Sequence, residues 1–235
     1  MKKLHTSALA ALLLSTSFAT ADVAAPTGFY VGVQQGYNML DNKFKDSFTD
    51  SFELQNLKAS EKNSGIIGEL LLGGRMTFGS GWTTGLEVAF GTDSNKSKKT
   101  LRYISTVTLT TLFNREVKRN YFITPALVLG KNLCSKWHVF LKLGLGFSKF
   151  QSKITDLTSI ASFKKSKTKM GFAPAIGAEY AINRAWSVQG SVGGEWYRNV
   201  KHTVNPTLVG VPGSIYKGKI NPTYVNCKIG LLYKF

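Results

Sequence analysis

Hydrophobic and polar positions alternate over residues 223–235. Val225, Cys227, Ile229, Leu231, Tyr233 and Phe235 form one set, and Tyr224, Asn226, Lys228, Gly230, Leu232 and Lys234 form the other. A period of two puts the sets on opposite faces of a strand, one apolar and one mostly polar or small. Seven earlier stretches repeat the pattern: 28–40, 64–78, 82–91, 120–130, 137–148, 170–182 and 186–197. The fifth is the most regular, with Trp137, Val139, Leu141, Leu143, Leu145 and Phe147 set against His138, Phe140, Lys142, Gly144, Gly146 and Ser148. A strand of roughly 9–11 residues crosses a bilayer when tilted, with its apolar face toward lipid. The pattern therefore predicts an all-β fold, an eight-stranded antiparallel up-and-down transmembrane β-barrel.

The connections sort into two kinds. Those at 79–81, 131–136 and 183–185 are short, and those at 41–63, 92–119, 149–169 and 198–221 are long. Short turns at one end and long loops at the other fit a membrane barrel whose short turns face the periplasm. Trp82, Trp137 and Trp186 each open a strand just after a short turn. With Tyr180, Tyr233 and Phe235 they are expected to form an aromatic girdle at one interface. Pro125 interrupts its stretch and predicts a local bulge, since proline removes a ladder donor. Residues 101–113 also alternate, but a ninth crossing would break the even strand number of bacterial single-chain barrels. They are read as an extension of the second long loop; a ten-stranded barrel with a further strand in 44–57 is the alternative.

Residues 1–21 read as a secretory signal peptide, with Lys2 and Lys3 before an apolar run at 8–14 and an Ala19-Thr20-Ala21 cleavage site. The barrel domain is then residues 22–235. Mean hydropathy of -0.05 conceals the membrane character, because lipid-facing and lumen-facing residues average out.

Three segments carry a family resemblance: FYVGVQQGYN near the start, GFAPAIGAEYAINRAWSVQGSV in the middle and the terminal KIGLLYKF. Over residues 28–235 the chain resembles the small outer-membrane β-barrels that include OmpA transmembrane domains and opacity-type surface proteins. The resemblance implies residence in the outer membrane of a Gram-negative bacterium, among outer-membrane lipid and lipopolysaccharide. It also implies that the barrel-assembly machinery reads the aromatic C-terminal end. It implies little about activity.

Candidate chemistry lies on the inward positions and in the loops. Glu69, Glu87, Glu179 and Glu195 are expected to face inward with Arg75, Lys142, Lys228 and Lys234. An eight-stranded barrel is just wide enough for side chains to fill it, so such charges must pair. Two readings stand: a salt-bridged polar plug, or a gated pore in which one glutamate exchanges basic partners. Neither His138 nor His202 has a nearby Ser or Asp in a recognisable nucleophile arrangement, and no metal-ligand spacing or phosphate-binding glycine motif occurs. No catalytic residue, metal or cofactor is expected, and the protein reads as non-enzymatic; an outer-membrane protease or lipid A-modifying enzyme is the less favoured alternative.

The formal net charge is +17, and the excess is carried by the long connections. Residues 92–119 hold seven basic and two acidic side chains, and 149–169 hold six and one. Lys96, Lys98, Lys99, Lys164, Lys165, Lys167 and Lys169 are expected to share one side of an extracellular rim. An exported barrel makes nucleic acid an improbable partner, which leaves lipopolysaccharide phosphates or sulfated and sialylated host surfaces; a merely solvated rim is the bland reading. The two cysteines, Cys134 in a short turn and Cys227 in the last strand, are expected to lie roughly 20 Å apart. A disulfide spans about 7 Å at most between Cα atoms, so two free thiols are expected.

Overall fold

The computed structural model describes residues 27–49, 54–104, 110–156, 162–204 and 215–235. The expected leader, residues 1–21, lies outside them. Ten strand segments appear: β1 (Gly28–Thr49), β2 (Leu54–Thr77), β3 (Trp82–Asp93), β4 (Lys96–Ile104), β5 (Thr110–Asn132), β6 (Trp137–Asp156), β7 (Ser162–Ala181), β8 (Trp186–Tyr197), β9 (Val200–Val204) and β10 (Ile215–Lys234). They make eight staves. After Ser94 and Asn95, β4 continues β3, and both pair with β5; β9 continues β8 past Arg198 and Asn199, and both pair with β10. All ladders are antiparallel, and β1 closes on β10 from Tyr30↔Lys234 to Thr49↔Ile215. The eight-stranded barrel expected from the alternation is the fold. The ten-stranded alternative falls, because the described parts of 44–57 belong to β1 up to Thr49 and to β2 from Leu54, and the two pair as far as Thr49↔Leu54.

The outward faces carry a continuous apolar band. Val33, Tyr37 and Met39 on β1, Leu70 and Leu72 on β2, and Leu141 to Phe147 at alternate positions on β6 are all exposed. Large exposed apolar belts require lipid. The band ends at one rim in the girdle: Trp137 stacks against Tyr180 with centroids 5.1 Å apart, and Trp186 against Tyr233 at 5.0 Å. Phe235 meets Tyr233 at 5.1 Å, and Trp82 is exposed beside Lys131. The tight turn before Trp82 uses Gly81 at φ +78°, a conformation that disfavours a Cβ, and Gly81 N donates to Phe78 O at 2.8 Å.

Two expectations need correction. The long connections are mostly sheet, since the staves run on well past the apolar band. The reason they resemble loops is a phase inversion. In β1 the outward set is apolar through Met39, and thereafter the inward set is, with Leu40 and Phe44 buried and Lys43 and Lys45 exposed. The same switch places Tyr224 and Ile220 inward on β10 and Phe150 inward on β6. Beyond the band the outer face meets water, so the two faces exchange character. The expected bulge at Pro125 is also misplaced: the β5–β6 register steps between Arg119 and Tyr121, and is the same on either side of Pro125.

Candidate functional site

The inward residues stack along the lumen in four tiers. At the rim of the girdle, Glu179 on β7 accepts from Arg75 Nη1 at 2.7 Å and from Ser187 Oγ at 2.7 Å, with Lys234 Nζ at 2.9 Å. Above it, Glu87 accepts from Lys142 Nζ at 2.6 Å and from Tyr30 Oη at 2.9 Å. Space for the Tyr30 ring comes from Gly73, where a Cβ would lie 2.3 Å from the ring. In the third tier Glu69 accepts from Lys228 and Gln34, and Gln189 Nε2 donates to Gln34 Oε1 at 3.1 Å. Highest, Glu195 accepts from Arg119, from Tyr197 Oη at 2.7 Å and from Asn226 Nδ2 at 3.1 Å.

The structure thus brings Glu69, Arg75, Glu87, Lys142, Glu179, Glu195, Lys228 and Lys234 into ion pairs. Two members are additional to those read from sequence. Arg119 also bonds Asp93, both side chains being fully buried, and its Cζ lies 4.2 Å from the Phe122 ring centroid and 4.1 Å from that of Tyr224. Over this tier sits an apolar collar of Leu40, Phe44, Val117, Phe150, Ile220 and Tyr224. A polar cavity of ≈ 40 Å³ remains between the middle tiers, lined in part by Glu87, Lys142, Glu69 and Lys228. It is room for very few waters.

His138 is fully buried, with Nε2 2.8 Å from Thr83 Oγ1. Thr83, His138 and Glu179 have the composition of a hydrolytic triad without its geometry. His138 Nδ1 is 3.7 Å from Glu179 Oε2, too far for a hydrogen bond, and 3.5 Å from Arg75 Nη1, which can only donate. The direction of the Nε2–Thr83 hydrogen bond follows the imidazole tautomer. A base for threonine needs that nitrogen bare and the other one oriented by the carboxylate. His202 stands on β9 opposite Gly218. Among the described residues no group of three or more His, Cys, Asp or Glu side chains is placed to hold a metal ion.

The basic residues chosen from sequence stand on strands rather than loops, and they divide between two faces. Lys96, Lys98 and Lys164 are exposed on the outer wall. Lys165, Lys167 and Lys169 are half-buried and in register with Ser152, Phe150 and Ser148, which point inward. Lys99 pairs in register with Arg115. On the outer wall, Lys118, Lys149 and Lys153 of β5 and β6 fill the space between Lys96 and Lys164: Lys118 is opposite Lys96, and Lys153 is opposite Lys164. Lys98 lies 3.9 Å from Glu116. This wall begins directly above Tyr121 and Phe147, the last outward apolar residues of β5 and β6, and Lys149 reaches over the Tyr121 ring.

The family model described as an outer membrane protein beta-barrel domain matches residues 7–235. The chain belongs to this outer-membrane β-barrel family. Its place is the outer membrane of a Gram-negative bacterium, with the apolar band in the bilayer, the short turns toward the periplasm and the long staves outside. This barrel is similar to the 31 kDa outer-membrane immunogenic protein of Brucella melitensis biotype 1, 28% identical over 239 residues and covering 98% of this chain and 94% of the relative. Among solved structures it is similar to the outer membrane protein OprG from Pseudomonas aeruginosa, at TM-score 0.53 and 15% identity, covering 91% of this chain and 99% of that one. It is also similar to the outer membrane protease OmpT from Escherichia coli, at TM-score 0.51 and 9% identity, covering 88% and 97%. Likeness at such identities is one of fold alone.

Proposed function

We propose that this barrel is a non-enzymatic, non-conducting surface protein whose basic outer wall binds the phosphates of neighbouring lipopolysaccharide. The observation that carries the reading is the position of Lys96, Lys98, Lys118, Lys149, Lys153 and Lys164. They form one outward face just above the lipid band, with Glu116 as the acid among them. Fixed cations at that height meet anionic headgroups at close range, and several such contacts act together. Lys43, Lys45, Lys62 and Lys219 extend the same character around β10, β1 and β2.

The lumen supports the negative half of the reading. Four tiers of paired charge and an apolar collar occupy the lumen among the described residues, which supports a barrel that does not conduct. A second reading, a closed narrow channel, draws on the polar cavity between the Lys142–Glu87 and Lys228–Glu69 pairs. The two separate in one preparation. Purified, refolded protein is titrated with lipopolysaccharide micelles at rising salt, alongside the variant Lys96→Gln, Lys118→Gln, Lys153→Gln, and both are tested for conductance in planar bilayers. Binding should weaken as the Debye length falls from about 10 Å at 0.1 M to about 3 Å at 1 M. The variant should bind at least several-fold less at low salt, and neither protein should conduct. Equal binding by the variant rejects the wall as the site; discrete conductance steps reject the plug. Heparin, tested in parallel, reports whether the wall also takes sulfated host glycans.

A further inference from the structure

Above the membrane one ladder of the described barrel wall stops short. The β7–β8 ladder starts at Gly171↔Tyr197, whereas β7 runs on to Ser162 paired, among the described residues, with β6 alone, as far as Thr155↔Ser162. On the other bank β9 pairs with β10 and, among the described residues, with nothing else. A seam therefore opens between Ser162–Met170 and Val200–Val204. Its foot is tied: Arg198 N donates to Met170 O at 3.4 Å, and the Tyr197 ring lies against Gly171, where a Cβ would come within 2.7 Å of it.

Among the described residues no ladder joins the two banks across the seam, and each is a strand edge, a ready template for another strand. The β7 bank is nine residues long, about 30 Å of extended chain. It carries Lys164, Lys165, Lys167 and Lys169 and no acid; Val200–Val204 on the far bank has no acid either. By register Lys164 stands on the outer face, and Lys165, Lys167 and Lys169 on the lumen face, Lys167 opposite Phe150 of the collar. Lysines along an edge suppress indiscriminate pairing, because a neutral or basic strand would have to approach positive charge on both faces. The same charges select a strand bearing acids.

We propose that the seam is a docking slot for an acidic polypeptide segment, which adds in extended conformation as a further strand of the extracellular barrel. A polypeptide fits better than a glycan because the edge offers main-chain donors and acceptors at the repeat of a β-strand, with lysines at the alternate spacing that acidic side chains would match. The slot is separate from the outer wall that faces lipopolysaccharide, so the two sites can fail independently.

The test uses the full refolded barrel at low salt. The probe is a fluorescent peptide of about ten residues alternating glutamate with threonine or valine. Two competitors accompany it: the same peptide with every backbone amide methylated, which keeps its charge and loses its donors, and a heparin oligosaccharide. The parent should bind the peptide. Backbone methylation, and separately Lys165→Gln with Lys167→Gln and Lys169→Gln, should each weaken binding about tenfold or more. Heat-modifiability and lipopolysaccharide binding of that variant should match the parent, since its substitutions lie above the membrane and off the outer wall. Absence of peptide binding by the parent overturns the proposal. So does equal binding of the methylated peptide, which would mean charge attraction without strand addition, or full displacement by heparin together with unchanged binding by the lysine variant.

Discussion

Arg75 on β2 and Glu179 on β7 meet across the lumen at 2.7 Å, although no ladder joins their strands. Both side chains are nearly sealed from solvent, and Lys234 and Ser187 crowd the same carboxylate. Glu179 is thus the counter-charge for two buried cations at the periplasmic end. Glu179→Leu should destabilise the barrel by about 3–5 kcal/mol, the cost of breaking a buried pair from one side. The urea midpoint of the folded protein in detergent measures it. Arg75→Met added to Glu179→Leu should recover part of the loss, because the double variant leaves one fewer unpaired charge; an equal or larger loss would mean that the pair is incidental.

Lys142→Met tests the plug one tier higher. It strands Glu87, which then keeps only the Tyr30 hydroxyl. The midpoint should fall, by less than the about 3–5 kcal/mol expected of a dry pair, since the adjoining cavity lets water approach. Conductance should stay at background because the collar and the Arg119–Glu195 tier lie above. Unchanged stability with new conductance would establish the gated-pore alternative.

The two halves of the fold were not equally legible. Within the bilayer one face must be apolar and the other polar, so period-two counting alone finds the staves and eight of the charged residues that pair in the lumen. Arg119 escaped because the chain bulges between it and Tyr121: counting back in twos from the buried Phe122 reaches Asn120 and misses it. Asp93 lies in phase with Glu87, but Gly91 to Asn95 has the composition of a loop, and the strand was expected to stop there. The lysines of β7 were read as one patch because a loop has no faces. As a strand it has two, and Lys164 and Lys165 part company.

Cys134 and Cys227 are both exposed free thiols, one in a periplasmic turn and one on the lipid face. Intact-mass measurement after maleimide treatment of the unreduced, denatured protein should show two additions. In intact vesicles a charged reagent should reach Cys134 far faster than Cys227, which lies in the lipid belt. A single intramolecular bond in the mass spectrum would contradict the strand assignment.

Phe235 donates its backbone N–H to Phe29 O at 3.0 Å and extends the girdle beyond Tyr233. Deleting it removes one closing hydrogen bond and one interfacial ring. The folded barrel should lose only about 1 kcal/mol or a little more when refolded in detergent. In cells the amount of heat-modifiable protein in the outer membrane should drop much further if the barrel-assembly machinery reads that terminus, as the family resemblance implies. Equal losses in both settings would assign Phe235 a purely structural role.

The continuation of the staves beyond the bilayer restricts how this chain can change in length. A single residue inserted within Lys43, Lys45 and their neighbours would exchange inner for outer positions along the rest of that stave, turning Phe44 to water and a lysine toward the collar. Insertions and deletions in the extracellular staves are therefore tolerable in twos, and matched ones on facing strands, whereas the hairpin tips can take any number. Related barrels should differ in the height of their walls by even steps, and in their tips without such parity.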